Sequence, residues 1–164
     1  MKKVLVIFLI TISSFLSFSA KSMQNKKDFE LKALLNAGYD HVIPGHINLS
    51  LEIDAYKKYE VKKINTIFNV GGGIDFSNYF DDEHYIGVIR PYFATEIGGY
   101  VSKDIRMYTD IKLGVGAFIR ESLVEAFPKA SVSLGMTYKE HFTVEMSYNT
   151  FSTISLGFGS RFGF

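Results

Sequence analysis

The stretch Ile105–Ile119, IRMYTDIKLGVGAFI, decides the fold. Ile105, Met107, Thr109, Ile111, Leu113, Val115, Ala117 and Ile119 fall on one face, and Arg106, Tyr108, Asp110, Lys112, Gly114, Gly116 and Phe118 on the other. A side-chain period of two belongs to a β-strand, whose successive side chains point to opposite faces. One face is free of charge, whereas the other mixes charges with glycine. This strand therefore separates two very different media.

The same alternation recurs on both sides. Phe29, Leu31, Ala33, Leu35, Ala37 and Tyr39 alternate with Glu30, Lys32 and Asn36. After a turn at Ile43-Pro44-Gly45, Ile47, Leu49, Leu51, Ile53 and Ala55 oppose Asn48, Ser50, Glu52 and Asp54. Ile64, Thr66, Phe68, Val70, Gly72, Ile74 and Phe76 then face away from Asn65, Asn69, Gly71, Gly73 and Asp75. A fourth run sets Tyr85, Gly87, Ile89, Pro91, Phe93, Thr95 and Ile97 against Arg90, Tyr92 and Glu96. Proline cannot donate to a ladder, so a bulge is expected at Pro91. Beyond the central run, Ala130, Val132, Leu134, Met136 and Tyr138 oppose Lys129, Ser131, Ser133 and Gly135. Phe142, Val144, Met146 and Tyr148 oppose Thr143, Glu145 and Ser147. Ile154, Leu156, Phe158, Phe162 and Phe164 oppose Ser155, Gly157, Gly159, Arg161 and Gly163.

Eight runs of about ten residues suit tilted crossings of an apolar band. The expected fold is all-β: a transmembrane antiparallel up-and-down β-barrel of about eight strands with a polar interior. Its direction follows from charge. Thirteen charged residues share the polar faces: Glu30, Lys32, Glu52, Asp54, Asp75, Arg90, Glu96, Arg106, Asp110, Lys112, Lys129, Glu145 and Arg161. The apolar faces of these runs carry none. A soluble barrel would turn its apolar faces inward, but a narrow barrel is filled more readily by the small residues found on the charged face, such as Gly114, Gly116, Ser131 and Ser133. Aromatic residues near run ends, at Tyr39, Phe76, Tyr85, Tyr138, Phe142, Tyr148 and Phe162, suit interfacial girdles.

The first twenty residues read as a secretory signal, with Lys2 and Lys3 before an apolar stretch from Val4 to Phe18 and small residues Ser17, Ser19 and Ala20. Residues 1–20 are expected to be removed, 21–28 to form a polar lead-in, and 29–164 to form the barrel. Without Lys2 and Lys3 the chain has 16 basic against 17 acidic residues. That balance argues against a nucleic-acid partner, which calls for a clustered basic surface. The chain has no cysteine, so architecture alone must stabilise it. No apolar stretch after residue 20 is long enough for a membrane helix, so any crossing is made by strands.

The chain closes on Gly157-Phe158-Gly159-Ser160-Arg161-Phe162-Gly163-Phe164. This ending resembles the C-terminal β-signal of bacterial outer-membrane proteins, glycine followed by spaced aromatics and a terminal Phe. The resemblance implies that Gly159, Phe162 and Phe164 are read by the barrel-assembly machinery, and it implies a bacterial outer-membrane location. Gly157, where the pattern often has a polar residue, is a departure. Strand count and length over Phe29–Phe164 also resemble the OmpA-type transmembrane, OmpX and opacity-protein superfamily of small barrels.

Function is less legible. The interior charges nearly balance, six basic to seven acidic, and are expected to close into a salt-bridge network, since buried charges must be paired. A narrow ion-conducting pore is the alternative. Some barrels of the resembled kind remodel lipid A with a His–Ser pair on the lipid-facing rim. His41, His46, His84 and His141 fall at strand ends or loops, and His46 and Ser50 are separated by about 13 Å along a strand, beyond hydrogen-bond reach. Asp40, His41 and His46 match no strong metal-ligand spacing, and the acidic Asp81-Asp82-Glu83-His84 reads as a solvated outer loop. Lys57, Lys58, Lys62 and Lys63 read as a solvated periplasmic turn. Loops near 41–46, 78–84, 120–128 and 149–153 are short, which weakens an adhesin reading. The expectation is a monomeric, non-enzymatic barrel with a structural or surface-interaction role, no cofactor or metal, and outer-membrane lipid as its standing partner.

Overall fold

The computed structural model describes residues 28–40, 47–80, 85–120, 123–150 and 153–164. The leader, residues 21–27, the acidic loop at 81–84 and three of the four histidines lie outside these. Eight antiparallel strands close a barrel in sequence order: β1 (Phe29–Asp40), β2 (Ile47–Val61), β3 (Thr66–Phe80), β4 (Tyr85–Tyr100), β5 (Ile105–Arg120), β6 (Leu123–Tyr138), β7 (Phe142–Asn149) and β8 (Thr153–Gly163). The seam joins β8 to β1, from Glu30 opposite Gly163 to Asp40 opposite Thr153. An even number of strands brings both chain ends to one end of the barrel, here called the terminal end. The connections at 62–65, 101–104 and 139–141 lie there too. The first holds Asn65 (φ 50°) and the last Lys139 and Glu140 (φ 49° and 60°), left-handed conformations suited to tight turns.

Side-chain direction follows the alternation. Large apolar residues stand exposed around the outside, with Leu113 at 57%, Phe158 at 56% and Leu134 at 59% of full exposure. The buried set is dominated by polar and charged side chains. A water-soluble barrel has the reverse arrangement, and so continuous an apolar exterior requires an apolar solvent. No described helix is long and apolar enough to cross a membrane; the strands are the crossing elements.

Four expectations need correction. Pro91 causes no bulge: Ile89 lies opposite Ala117 and Tyr92 opposite Gly114, so the β4–β5 register passes the proline unchanged. The two missing bridges, at Arg90 and Pro91, are those that would draw on the absent proline N–H. Ile64 and Asn65 belong to a 3-10 turn and its exit, not to a strand. Lys57 and Lys58 lie within β2, because that strand continues to Val61. Residues 123–128, expected as loop, are the outer part of β6 and pair with β5 up to Leu123 opposite Arg120. Four apolar residues, Leu34, Ile67, Val88 and Ala94, are buried on the inner side among the polar groups.

Candidate functional site

The interior is the most elaborate chemical feature of the molecule. All thirteen charged residues of the polar faces are buried within it. Their ion pairs arrange in three layers from the terminal end outward.

The terminal layer joins two carboxylates to two guanidinium groups. Arg106 Nη1 reaches both oxygens of Glu30 at 2.9 and 3.0 Å, and Arg161 Nη1 reaches Glu30 Oε2 at 2.7 Å. Arg161 also donates to Glu96 at 2.9 and 2.5 Å through its two Nη atoms, and Arg106 Nη2 donates to the same carboxylate. Asn69 Nδ2 donates to Glu30 at 2.9 Å and to Glu96 at 3.2 Å. Lys58 Nζ stands 3.6 Å from Glu30. This last contact is not legible in the sequence, because the clean alternation of β2 ends at Ala55 while the strand runs on to Val61. Planar guanidinium forks suit such shared carboxylates better than ammonium groups do.

In the middle layer, Lys32 Nζ lies 3.0 Å from Asp54 Oδ2 and 2.9 Å from both Asp110 Oδ2 and Glu145 Oε2. Lys112 Nζ donates to Glu145 Oε1 at 2.8 Å and to Glu52. Three tyrosines complete the shell: Tyr56 donates to Asp110 at 2.7 Å, Tyr108 to Glu145 at 2.9 Å, and Tyr92 to Asp54. The Lys32 ammonium also stands 5.4 and 5.3 Å from the Tyr56 and Tyr108 ring centroids, within cation–π range. Lys32 on β1 thus reaches Asp110 on β5, so these side chains bridge opposite walls.

The outer layer centres on Asp75, which meets Arg90 Nη2 at 2.8 Å and Lys129 Nζ at 3.2 Å and accepts the Ser77 hydroxyl at 2.7 Å. Lys129 also sits 3.7 Å from the Tyr92 ring centroid. Above it lies a polar pocket of about 20 Å³ lined by Asn36, Asn48, Ser50, Ser131, Ser147, Asn149 and Ser155. Its floor includes Glu52, Asp75, Arg90 and Lys129. That space is on the scale of a single water molecule.

The residues of the terminal Gly-aromatic motif lie at the seam. A Cβ on Gly159 would stand 1.8 Å from the Ala33 carbonyl oxygen, so close strand approach requires glycine there. Phe162 pairs with Leu31. Phe164 exchanges backbone hydrogen bonds with Phe29 at 3.2 and 2.9 Å and stacks on its ring at 6.1 Å between centroids.

Among the described residues the interior contains no histidine, and no cluster of His, Asp and Glu is arranged to hold a metal. The described histidine, His141, is exposed in the β6–β7 turn, with its ring 6.5 Å from that of Phe162. The hydrogen bonds it makes there are backbone ones. His46 lies outside the described residues, so its distance from Ser50 is not part of this geometry.

No protein-family model matches the chain, and no curated protein does. Solved structures do. The outer membrane enzyme PagL is similar over 81% of this chain and 98% of its own, with 10% identity and a TM-score of 0.54. A de novo designed transmembrane β-barrel matches over 87% of this chain and 100% of its own, with 13% identity and a TM-score of 0.46. Ail, the attachment invasion locus protein of Yersinia pestis, covers 85% of this chain and 100% of its own, at 14% identity and a TM-score of 0.43. The protein has the fold of the small eight-stranded outer-membrane β-barrels. At such identities the likeness extends to the fold alone.

Proposed function

We propose that this chain is a monomeric outer-membrane surface-interaction barrel: a plugged stave of β-structure that presents one tall wall to the outside. Export by residues 1–20, and reading of Gly159, Phe162 and Phe164 by the assembly machinery, belong to the same proposal. The observation that carries it is the edge of β6. Its pairing with β7 starts at Ser131 opposite Asn149, and one backbone hydrogen bond follows, from Thr150 N to Ala130 O at 2.9 Å. Among the described residues, β6 pairs as a ladder with β5 alone from Leu123 to Lys129, and on its other side Pro128 O accepts the Thr150 hydroxyl at 3.4 Å.

Even-numbered residues point their backbone groups toward that open edge, as Ala130 does. Val124 and Ala126 therefore present N–H and C=O groups to it, while Pro128 withholds its N–H. An open strand edge is a template for an added strand, whose main-chain hydrogen bonds supply affinity. Our partner class is an extended protein segment approaching from outside.

Cells displaying the protein should bind surfaces coated with proteins rich in exposed strands, and Ala126→Pro, which removes one edge donor, should weaken that binding. Equal binding by wild type and Ala126→Pro, with heat-modifiable gel migration confirming both barrels folded, would refute the edge.

A narrow pore is the second reading, favoured by the polar pocket at the outer end. The three ion-paired layers beneath it oppose conduction, and planar-bilayer recordings with no current above background are expected. We propose no enzymatic activity, on the sequence argument that four positions along a strand set His46 and Ser50 about 13 Å apart, beyond hydrogen-bond reach. Identical lipid A mass spectra from expressing and deleted cells are the expected result.

A further inference from the structure

A row of small polar residues climbs one wall of the interior. The register sets Asp110 of β5 opposite Ser133 of β6, Ser133 opposite Ser147 of β7, and Ser147 opposite Ser155 of β8. Ser155 stands opposite Gly38 of β1, and Gly38 opposite Asn48 of β2. Between Asp110 and Asn48 no side chain of the row is longer than serine. Barrel strands are tilted, so a row of paired residues rises as it passes round the wall. Asp110 lies in the middle layer, bound to Lys32, whereas Ser147, Ser155 and Asn48 line the pocket at the outer end. The row is a ramp from that pocket down to the middle of the plug.

The oxygens along the ramp are unevenly served. Ser147 and Ser155 share a hydrogen bond at 2.6 Å. Ser133 is only 1% exposed, yet its Oγ has no hydrogen-bond partner among the described residues. Asp110 directs one oxygen, Oδ2, at Lys32, Lys112 and the Tyr56 hydroxyl, while its Oδ1 is buried without a partner among them. Asn48 Oδ1, at the top of the ramp, is a third buried oxygen in the same condition. Buried oxygens without a protein partner are the ones that ordered water serves. A row of serines suits water, because each hydroxyl both donates and accepts.

We propose that the ramp is a blind water shaft, entered through the outer pocket and ending in a water site between Ser133 Oγ and Asp110 Oδ1. The water held there donates to the carboxylate and bonds the serine hydroxyl, completing both groups. Below it the way is shut. Thr137, the next polar residue inward on β6, is bonded to Thr143 at 3.2 Å and stands opposite Arg106 of the terminal layer. Solution outside the barrel thus reaches the middle layer along one wall, and solution at the terminal end does not. This site goes beyond the surface-interaction reading and uses nothing of the β6 edge.

The chain has no cysteine, so single introduced thiols report the shaft without background. Ser147→Cys, Ser133→Cys and Thr137→Cys are refolded separately in detergent, with heat-modifiable migration confirming each barrel. Each is treated with silver nitrate in chloride-free buffer, since silver ion passes where water passes and blocks a thiol. The protein is then unfolded, and the remaining free thiol is counted by maleimide mass shift. Ser147→Cys and Ser133→Cys should lose their free thiol, and Thr137→Cys should keep it. Adding Ser147→Leu to Ser133→Cys fills the ramp and should restore the free thiol; where that pair does not fold, Ser155→Leu takes the place of Ser147→Leu. A free thiol surviving in Ser133→Cys alone would overturn the shaft. Equal loss in Ser133→Cys and Thr137→Cys would overturn its blind end, and loss undiminished by the leucine would overturn the route.

Discussion

The two sides of this barrel differ in height. β7, β8 and β1 have 8, 11 and 12 residues, whereas β2 to β6 have 15 or 16 each. A tilted crossing of the hydrocarbon layer takes about 9–11 residues. The short side is therefore a membrane crossing and little more. The tall side exceeds it by about five residues per strand, roughly 16 Å of added length along each tilted strand at about 3.3 Å per residue. The lesson is that bilayer thickness sets the minimum length of every strand, and any excess serves something other than the crossing.

The largest expected effect comes from cutting the ties between the sides. Lys32→Met removes from β1 the ammonium shared by Asp54, Asp110 and Glu145, taking the ion pair from Asp54 on the tall side and leaving Asp110 and Glu145 with Lys112. Loss of about 3–5 kcal/mol is expected in guanidinium unfolding of the refolded barrel. Next comes a comparison within the tall side. Leu113→Arg, on the outward face near mid-crossing, should cost about 2–4 kcal/mol, whereas Ala126→Arg, on the outward face of the raised edge, should cost about 0–1 kcal/mol. Equal costs in lipid-vesicle unfolding would mean that the tall side does not rise out of the bilayer.

The short side can be tested at its seam. Gly159→Ala drives a methyl into the Ala33 carbonyl and should cost about 1–3 kcal/mol by overpacking, read in refolding without any assembly factor. The smallest effect belongs to Tyr92→Phe. Asp54 loses one donor but keeps Lys32, so about 1 kcal/mol is expected in the same unfolding measurement.

This difference in height also explains what the sequence could and could not reveal. Alternation is enforced only where one face meets lipid, so the eight crossings and all thirteen interior charges were readable residue by residue. Beyond the lipid the constraint lapses. Lys57 and Lys58 in β2 read as a solvated turn, although Lys58 turns toward Glu30. Residues Glu125 to Pro128 likewise read as loop. Pro91 lies in the run that alternation predicts, but the expected bulge is absent, because propensity cannot reveal that a ladder tolerates two lost bridges without changing register.

Nor could the sequence pair the interior charges. Arg161 and Glu30 are 131 positions apart, and only the closed register brings them to 2.7 Å. Leu34, Ile67 and Val88 were invisible for a related reason: apolar residues on a polar face carry no signal of their own among charged neighbours.

The open edge of β6 has a geometrical consequence. A cylinder free to spin in the plane of a membrane has no preferred heading, and any neighbour meets the same wall from every side. A wall raised on one side, whose last strand is laddered only to β5 among the described residues from Leu123 to Lys129, gives this cylinder a compass bearing. A partner of the proposed kind, clasping Val124 and Ala126, would stop the spin and aim the remaining circumference in a fixed direction. Capture outside the cell would thereby orient the surface buried in the lipid.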